Sequence, residues 1–142
     1  MRVSEFMTRK VITASPDDGI RETYFVMREK GIRHMPVLDG AQLVGMISDR
    51  DLRRPDWVDE APDLSYEYHL EDHVTVNDLM SRNPIHVHTY DELVVACNQL
   101  VRHGFGALPV LDKGNHVVGI LSKADLVRAF ARLLENPHAH VS

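Results

Sequence analysis

The hydrophobic positions of this chain follow one order of spacings, and the order runs through twice. Each run opens with apolar residues three and four apart (Val3, Phe6, Met7; Val76, Leu79, Met80), as one helical turn would place them. An extended stretch follows, Val11-Ile12-Thr13-Ala14 and then Pro84-Ile85-His86-Val87. Next comes an amphipathic helix. Ile20, Tyr24 and Met27 stand at i, i+4 and i+7, and Leu93, Cys97 and Leu100 repeat the spacing. Two short strands are predicted after it, Met35 to Leu38 and Leu43 to Ile47, then Leu108 to Leu111 and Val117 to Leu121. A last helix starts after Ser48 and after Ser122. The second of these keeps Leu126, Val127, Phe130, Leu133 and Leu134 at helical spacing. After the opening turn, each run reads strand, helix, strand, strand, helix, an α+β pattern.

The polar punctuation repeats as well. Asp18 and Asp91 are placed to cap the first long helix of each run, and Gly31 and Gly104 to end it in the left-handed conformation. Asp39-Gly40 and Asp112-Lys113-Gly114-Asn115 supply turns between the strands. Residue identities confirm a duplication. At an offset of 73, Pro36-Val37-Leu38-Asp39 matches Pro109-Val110-Leu111-Asp112, and at 74, Ser48, Asp51 and Leu52 match Ser122, Asp125 and Leu126. A fixed period decides architecture before anything else. A repeat of about 50 residues buries too little surface to be stable alone, so the two copies are expected to share a core.

The join, Pro55 to Thr75, belongs to neither copy. Seven acidic residues there surround Trp57, Tyr66 and Tyr68. So many aromatics predict an ordered, partly helical connector from about Ser65, with Trp57 as a packing or partner contact, rather than a flexible linker. The expected divisions are thus 1–54, 55–75, 76–134 and a mobile tail at 135–142.

Composition narrows the function. Net charge is −5 with no basic run, which argues against nucleic-acid binding. No apolar stretch approaches the ~20 residues of a membrane span, and no apolar segment follows Met1 as a signal peptide would require. Cys97 is the only cysteine, so no internal disulfide forms. A cytoplasmic location is expected. There is no nucleophile elbow, P-loop, dinucleotide glycine fingerprint or His-Glu-x-x-His, which points away from an enzyme and from a catalytic cofactor. Cys97, on an apolar helix face, reads as a structural thiol.

The most informative motif is Gly45-Met46-Ile47-Ser48-Asp49-Arg50-Asp51-Leu52, echoed by Gly119-Ile120-Leu121-Ser122-Lys123-Ala124-Asp125-Leu126. Ser-x-x-Asp between strand and helix makes a capping box, and that alone explains the spacing. The same geometry also suits a ligand. Free amides at a helix start attract phosphate, and a carboxylate beside them can accept from both hydroxyls of a ribose. Both readings stand at this point.

The ordered set of motifs resembles a tandem pair of CBS domains, the cystathionine-β-synthase-type module. The resemblance rests on Met7-Thr8 and Met80-Ser81, on Gly31 to Asp39 and Gly104 to Asp112, and on the two Gly-x-x-Ser-x-x-Asp-Leu motifs. It covers about 1–54 and 74–134, and the join is similar to that of the acetoin-utilisation type. The family implies two βαββα halves about a pseudo-twofold axis. It also implies clefts between them for AMP, ADP or ATP, and sometimes S-adenosylmethionine or NAD, as regulatory ligands. By position, Asp51 and Asp125 would hold ribose, with Ser48 and Ser122 nearby. Ile12-Thr13 and Ile85-His86 would line the adenine pocket, and Met35-Pro36 and Leu108-Pro109 would form its apolar wall. The family further implies a homodimer. The chain leaves no room for an effector domain, so any output would act on a separate target protein or on self-assembly.

The copies are not equivalent. Arg33, His34 and Arg50 can meet phosphate charge, but the second copy has Gly106, Ala107 and Ala124 there and keeps only Lys123. Two clefts of different affinity are therefore expected. Two rivals to a regulatory nucleotide module remain. One is a scaffold without ligand. The other is a metal-responsive protein using His86 and His88, His69 and His73, or His138 and His140. Zinc needs three or four convergent ligands, no spacing here guarantees them, and no residue is assigned to a metal.

Overall fold

The computed structural model describes residues 1–53 and 73–137. The expected connector helix, Trp57 and most of the tail lie outside the described residues, as do His69, His138 and His140. The chain divides into two compact units: a first, Ile12–Pro84, and a second, Met1–Val11 with Ile85–Ser142. These units are not the sequence repeats. Each contains the body of one copy and the opening turn of the other.

In the first unit the elements are α2 (Ile20–Lys30), β1 (His34–Asp39), β2 (Gln42–Ser48), α3 (Asp49–Leu52), α4 (Val76–Leu79) and β3 (Ser81–Arg82), with α1 (Val3–Phe6) belonging to the second unit. The sheet order is β1-β2-β3, all antiparallel, and Ala14 adds a parallel bridge to Val37 on the outer side of β1. In the second unit β4 (Val87–His88) runs parallel to β5 (Ala107–Leu111), and β5 antiparallel to β6 (Val117–Ser122). Helices α5 (Leu93–His103) and α6 (Lys123–Glu135) flank this sheet. Thr8 bridges Ile120 on the far side of β6. The two sheets are the same four-strand arrangement with a different end frayed to a single bridge. The expected strand at residues 11–14 is one such bridge, and the expected strand at 84–87 narrows to Val87–His88.

The opening turns are held by main-chain bonds that run both ways. In the second unit, the Val3 and Ser4 amides donate to the Asp91 and Thr89 carbonyls at 3.0 and 3.1 Å, and Leu93 N–H donates to Met1 O at 2.8 Å. In the first unit, Val76 and Asn77 donate to Asp18 and Pro16 at 2.8 and 2.9 Å, and Ile20 N–H donates to Val74 O at 3.2 Å. Amides in the first turn of a helix have no partner inside it. Here the start of each opening turn and the start of each long helix satisfy one another.

This arrangement corrects one expectation. Asp18 and Asp91 are not helix caps, because the caps are Gly19 and Glu92. The two carboxylates instead accept from the Ser15 and His88 amides, each at 2.8 Å, and close the turn whose carbonyls receive the opening segment. The copies do share their cores, by exchange. Among the described residues, Val76 and Met80 complete the cluster around Ile20, Met27, Val37 and Ile47 in the first unit, while Val3 and Met7 complete the one around Leu93, Leu108, Val110 and Leu121 in the second. A copy alone would lack these two apolar residues.

On the long helices, Ile20, Tyr24 and Met27 face inward as expected, and Gly31 ends α2 at φ 65°. On α5 Ala96 is fully buried and Cys97 only partly, and burial pushes the thiol upward from its ordinary pKa. On α6 the apolar spacing splits between two faces. Leu126 and Ala129 pack inward, whereas Val127, Phe130 and Leu134 stand 58–68% exposed. Between β5 and β6, Asp112 Oδ1 accepts from the Gly114 and His116 amides, both at 2.9 Å. The His116 bond is the main reason the carboxyl sits below its usual range. The left-handed residue of this turn is Asn115, not the Gly114 that aligns with Gly40.

Gly45 shows how closely the exchanged segment approaches. A Cβ there would lie 2.8 Å from the Ser81 carbonyl oxygen and 2.6 Å from Met80 Sδ. The side chain can move, but the carbonyl belongs to the β2–β3 ladder. Gly45→Ala is expected to destabilise by about 1–3 kcal/mol, read as a lower urea midpoint. At Gly119 the corresponding carbonyl, from Thr8, is at 3.1 Å, and the same substitution should cost less. An unchanged midpoint for Gly45→Ala would show that the approach imposes no constraint.

Candidate functional site

The Ser-x-x-Asp motif forms the predicted capping box in both units. At α3, Ser48 Oγ accepts from Asp51 N–H at 3.1 Å and Asp51 Oδ2 accepts from Ser48 N–H at 2.9 Å. At α6, Ser122 and Asp125 repeat the pair at 3.2 and 2.8 Å. A further donor is spent at each helix start: Asp49 N–H on Arg33 O at 2.9 Å, and Lys123 N–H on Gly106 O at 3.1 Å. Among the described residues, nothing accepts from the intervening Arg50 and Ala124 amides. Each first turn therefore offers one open main-chain donor beside a carboxylate.

The two carboxylates differ. Asp51 is half-buried, and among the described residues only Ser48 N–H is bonded to it. Asp125 is 3% exposed. Its Oδ1 accepts from the Thr8 hydroxyl at 3.1 Å and from the Arg128 guanidinium, and its Oδ2 also accepts from the Ser122 hydroxyl at 3.1 Å. Thr8 and Arg128 were not foreseen. Arg128 has an identical partner at offset 74, Arg54, two positions beyond the Leu52 and Leu126 match, and that identity was an available signal. Arg54 lies outside the described residues.

The remaining candidates divide cleanly between the units. Ile12, Thr13, Arg33, His34, Met35, Pro36, Ser48, Arg50 and Asp51 fall in the first. Ile85, His86, Leu108, Pro109, Ser122, Lys123 and Asp125 fall in the second. Arg33, Arg50 and Lys123 are exposed. Ile12, Thr13 and Met35 come together along an open depression of about 690 Å³ that Asp17, Asp18 and Glu22 also line. Ser48, Arg50 and Asp51 do not line it. Its acidic lining disfavours phosphate but not a neutral base. Leu108 is fully buried inside its core cluster, and Met35 nearly so. His86 and His88 share a face, with ring centroids 5.3 Å apart, and His88 stacks on Tyr90 at 5.0 Å. Among the described residues, no group of three or more His, Cys, Asp or Glu is arranged to hold a metal ion. Nor is any of their helices long and apolar enough to cross a membrane.

The two capping boxes, each on a strand-to-helix turn of a duplicated α+β unit, define a tandem repeat module, and the comparisons give the class. The family model of the CBS domain matches residues 3–55 and 76–132, and the chain belongs to that family. It is 30% identical over 131 residues to an uncharacterized protein of Methanocaldococcus jannaschii, covering 91% of this chain and 44% of that one. The chain thus spans less than half the length of the first curated relatives it matches. Among solved structures, CBSX2 from Arabidopsis thaliana superposes with a TM-score of 0.81 at 28% identity, covering 95% of this chain and 97% of that one. A CBSX2 structure solved in complex with AMP gives 0.76 at 29%, covering 94% and 98%. A Vibrio cholerae protein assigned to acetoin utilization, AcuB, gives 0.76 at 26%, covering 100% and 98%.

The caps have a measurable consequence. Ser122→Ala removes the acceptor for Asp125 N–H and is expected to cost about 0.5–2 kcal/mol by urea denaturation. Ser122→Asp, which restores an acceptor, should recover much of it. If alanine costs nothing, the hydrogen bonds at this turn are not holding the helix start.

Proposed function

We propose that the chain is a regulatory module that binds an adenosine-containing ligand, AMP in the first instance, at the turns that open α3 and α6. The observation that carries this reading is the AMP complex of CBSX2, a structure matching nearly the whole of both chains. The chemistry of the turns supports it. The capping box engages Oδ2 of each aspartate and so directs Oδ1 away from the helix start, where a ribose would meet it directly at Asp51 and by displacing Thr8 and Arg128 at Asp125. Asp51 and Asp125 would hold ribose hydroxyls, with Ser48 and Ser122 beside them. Arg33, His34 and Arg50 on the first unit, and Lys123 on the second, would meet phosphate. Ile12, Thr13, Met35 and Pro36 would receive the base on the first unit, and Ile85, His86, Leu108 and Pro109 on the second. The role is that of a sensor rather than an enzyme, acting in the cytoplasm on itself or on a separate target protein. ADP, ATP and S-adenosylmethionine are the competing ligands.

Titration calorimetry with AMP tests this directly. Binding is expected, and Asp51→Ala should remove one site, whereas Asp78→Ala, which removes a capping carboxylate away from the proposed sites, should leave the stoichiometry unchanged. At about 100 times its dissociation constant, AMP should stabilise the protein by ~2.7 kcal/mol. A panel in which AMP, ADP, ATP and S-adenosylmethionine all leave the transition unmoved would favour a ligand-free scaffold.

The exposed faces of the second unit support self-association. Val94 and Val101 on α5 are 60% and 84% exposed, and Val127, Phe130 and Leu134 stand out on α6. Exposed apolar side chains grouped on helix faces are the surface a partner copy would cover. We propose that these faces make a homodimer. Val127→Asp with Phe130→Asp should convert a dimer to a monomer in light scattering without loss of helix. A wild-type monomer at high micromolar concentration would exclude the dimer.

A further inference from the structure

The difference between the two aspartates extends to regulation. A carboxylate has two oxygens and about four acceptor positions. At Asp125 all four are in use by the protein itself: the Ser122 amide and hydroxyl on Oδ2, the Thr8 hydroxyl and the Arg128 guanidinium on Oδ1. A ribose presenting two hydroxyls has nowhere to donate until Thr8 and Arg128 turn away. Arg128 can do so readily, since its side chain is 67% exposed.

Thr8 is held more firmly. Its amide donates to Ile120 O at 2.8 Å, and its carbonyl accepts from Ile120 N–H at 3.0 Å. These two bonds fix the Cα, so the hydroxyl meets Asp125 because the exchanged opening segment is docked. It is not a chance rotamer at a loose end. On the first unit, Ser81 occupies the position of Thr8, and its residue pairs with Met46 across β2–β3. Yet no bond joins its hydroxyl to Asp51 among the described residues.

Resting on the nucleotide reading above, we infer that the second unit carries a lock on its own ribose site. Thr8 and Arg128 satisfy Asp125 in the empty protein, and nucleotide enters by displacing them. The lock therefore weakens the Asp125 site relative to the same site without Thr8 and Arg128 in place. Its occupation is linked to the N-terminal segment through Thr8, whose main chain seats the segment on β6 and whose hydroxyl reaches Asp125. In the empty protein the lock supplies donors to Oδ1 of a buried carboxylate that Ser122 bonds only through Oδ2.

The test is calorimetry with AMP in an Asp51→Ala background, where the Asp125 site is read alone. Thr8→Val keeps the shape and deletes the donor. Thr8→Ser keeps the donor and serves as the control, and Arg128→Ala removes the guanidinium. Thr8→Val and Arg128→Ala should each tighten AMP on the order of tenfold, as loss of one competing bond to a charged group would, with Thr8→Ser unchanged. Appearance of binding only in Thr8→Val or Arg128→Ala would equally support the lock. If AMP binds this background and the two variants leave its affinity unchanged or weaker, the lock is wrong and the nucleotide reading survives. If neither the wild type nor any variant binds AMP, both are wrong.

Discussion

Everything else in this molecule depends on how helix starts find partners. A helix of four residues cannot stand in water, because its nucleation is unfavourable and its first amides are unsatisfied. Both opening turns, α1 and α4, are of that length. They persist because their amides donate into the turn before a long helix that belongs to the other sequence copy, and that helix donates back through Leu93 and Ile20. Once seated, the segment brings Val3 and Met7, or Val76 and Met80, into a core that is incomplete without them. It then runs along the far edge of the sheet and pairs there, at Thr8 or Ser81. A glycine at 45 or 119 is what lets it come that close.

The candidate site inherits this geometry. Ser48 and Ser122 cap their helices through Oδ2 of each aspartate, so capping and the proposed ligand binding are compatible. The capping box uses the main-chain side of each carboxylate and orients its other oxygen. What that oxygen meets is decided elsewhere. In the second unit it meets Thr8, which is present only because the opening segment has crossed over, and Arg128, one turn along α6. A feature of fold assembly has become a feature of site occupancy.

Much of this was legible from the chain alone. The long helices, the paired strands, the capping boxes and the two glycine helix ends all follow from local chemistry, and local chemistry is what sequence periodicity records. The exchange was not legible, for a physical reason. Duplication makes the two opening segments nearly interchangeable, so Val3 and Met7 fit the body of either copy, and no spacing distinguishes packing at home from packing across. The same ambiguity hid how the copies share their cores, each lending two apolar residues to the other. Asp18 and Asp91 misled by a single residue. An acid just before a helix is right for a cap, but here it closes the preceding turn, whose outward carbonyls are needed by a segment that no local reading could place.

The pattern of divergence between the copies follows from the same constraint. Positions that serve the exchange are kept in both: Val3 and Val76, Met7 and Met80, Asp18 and Asp91, Gly45 and Gly119. Any change there would loosen a core or block an edge. The helix starts are joined differently. Arg33, His34, Asp49 and Arg50 align in sequence with Gly106, Ala107, Lys123 and Ala124, and in both copies it is the main chain that makes the Arg33–Asp49 or Gly106–Lys123 bond. A duplicated scaffold that seats its segments through the backbone leaves the side chains of its helix starts free to diverge. Among the described residues, two turns of the same shape therefore present one carboxylate bonded through Oδ2 alone and one engaged through both oxygens.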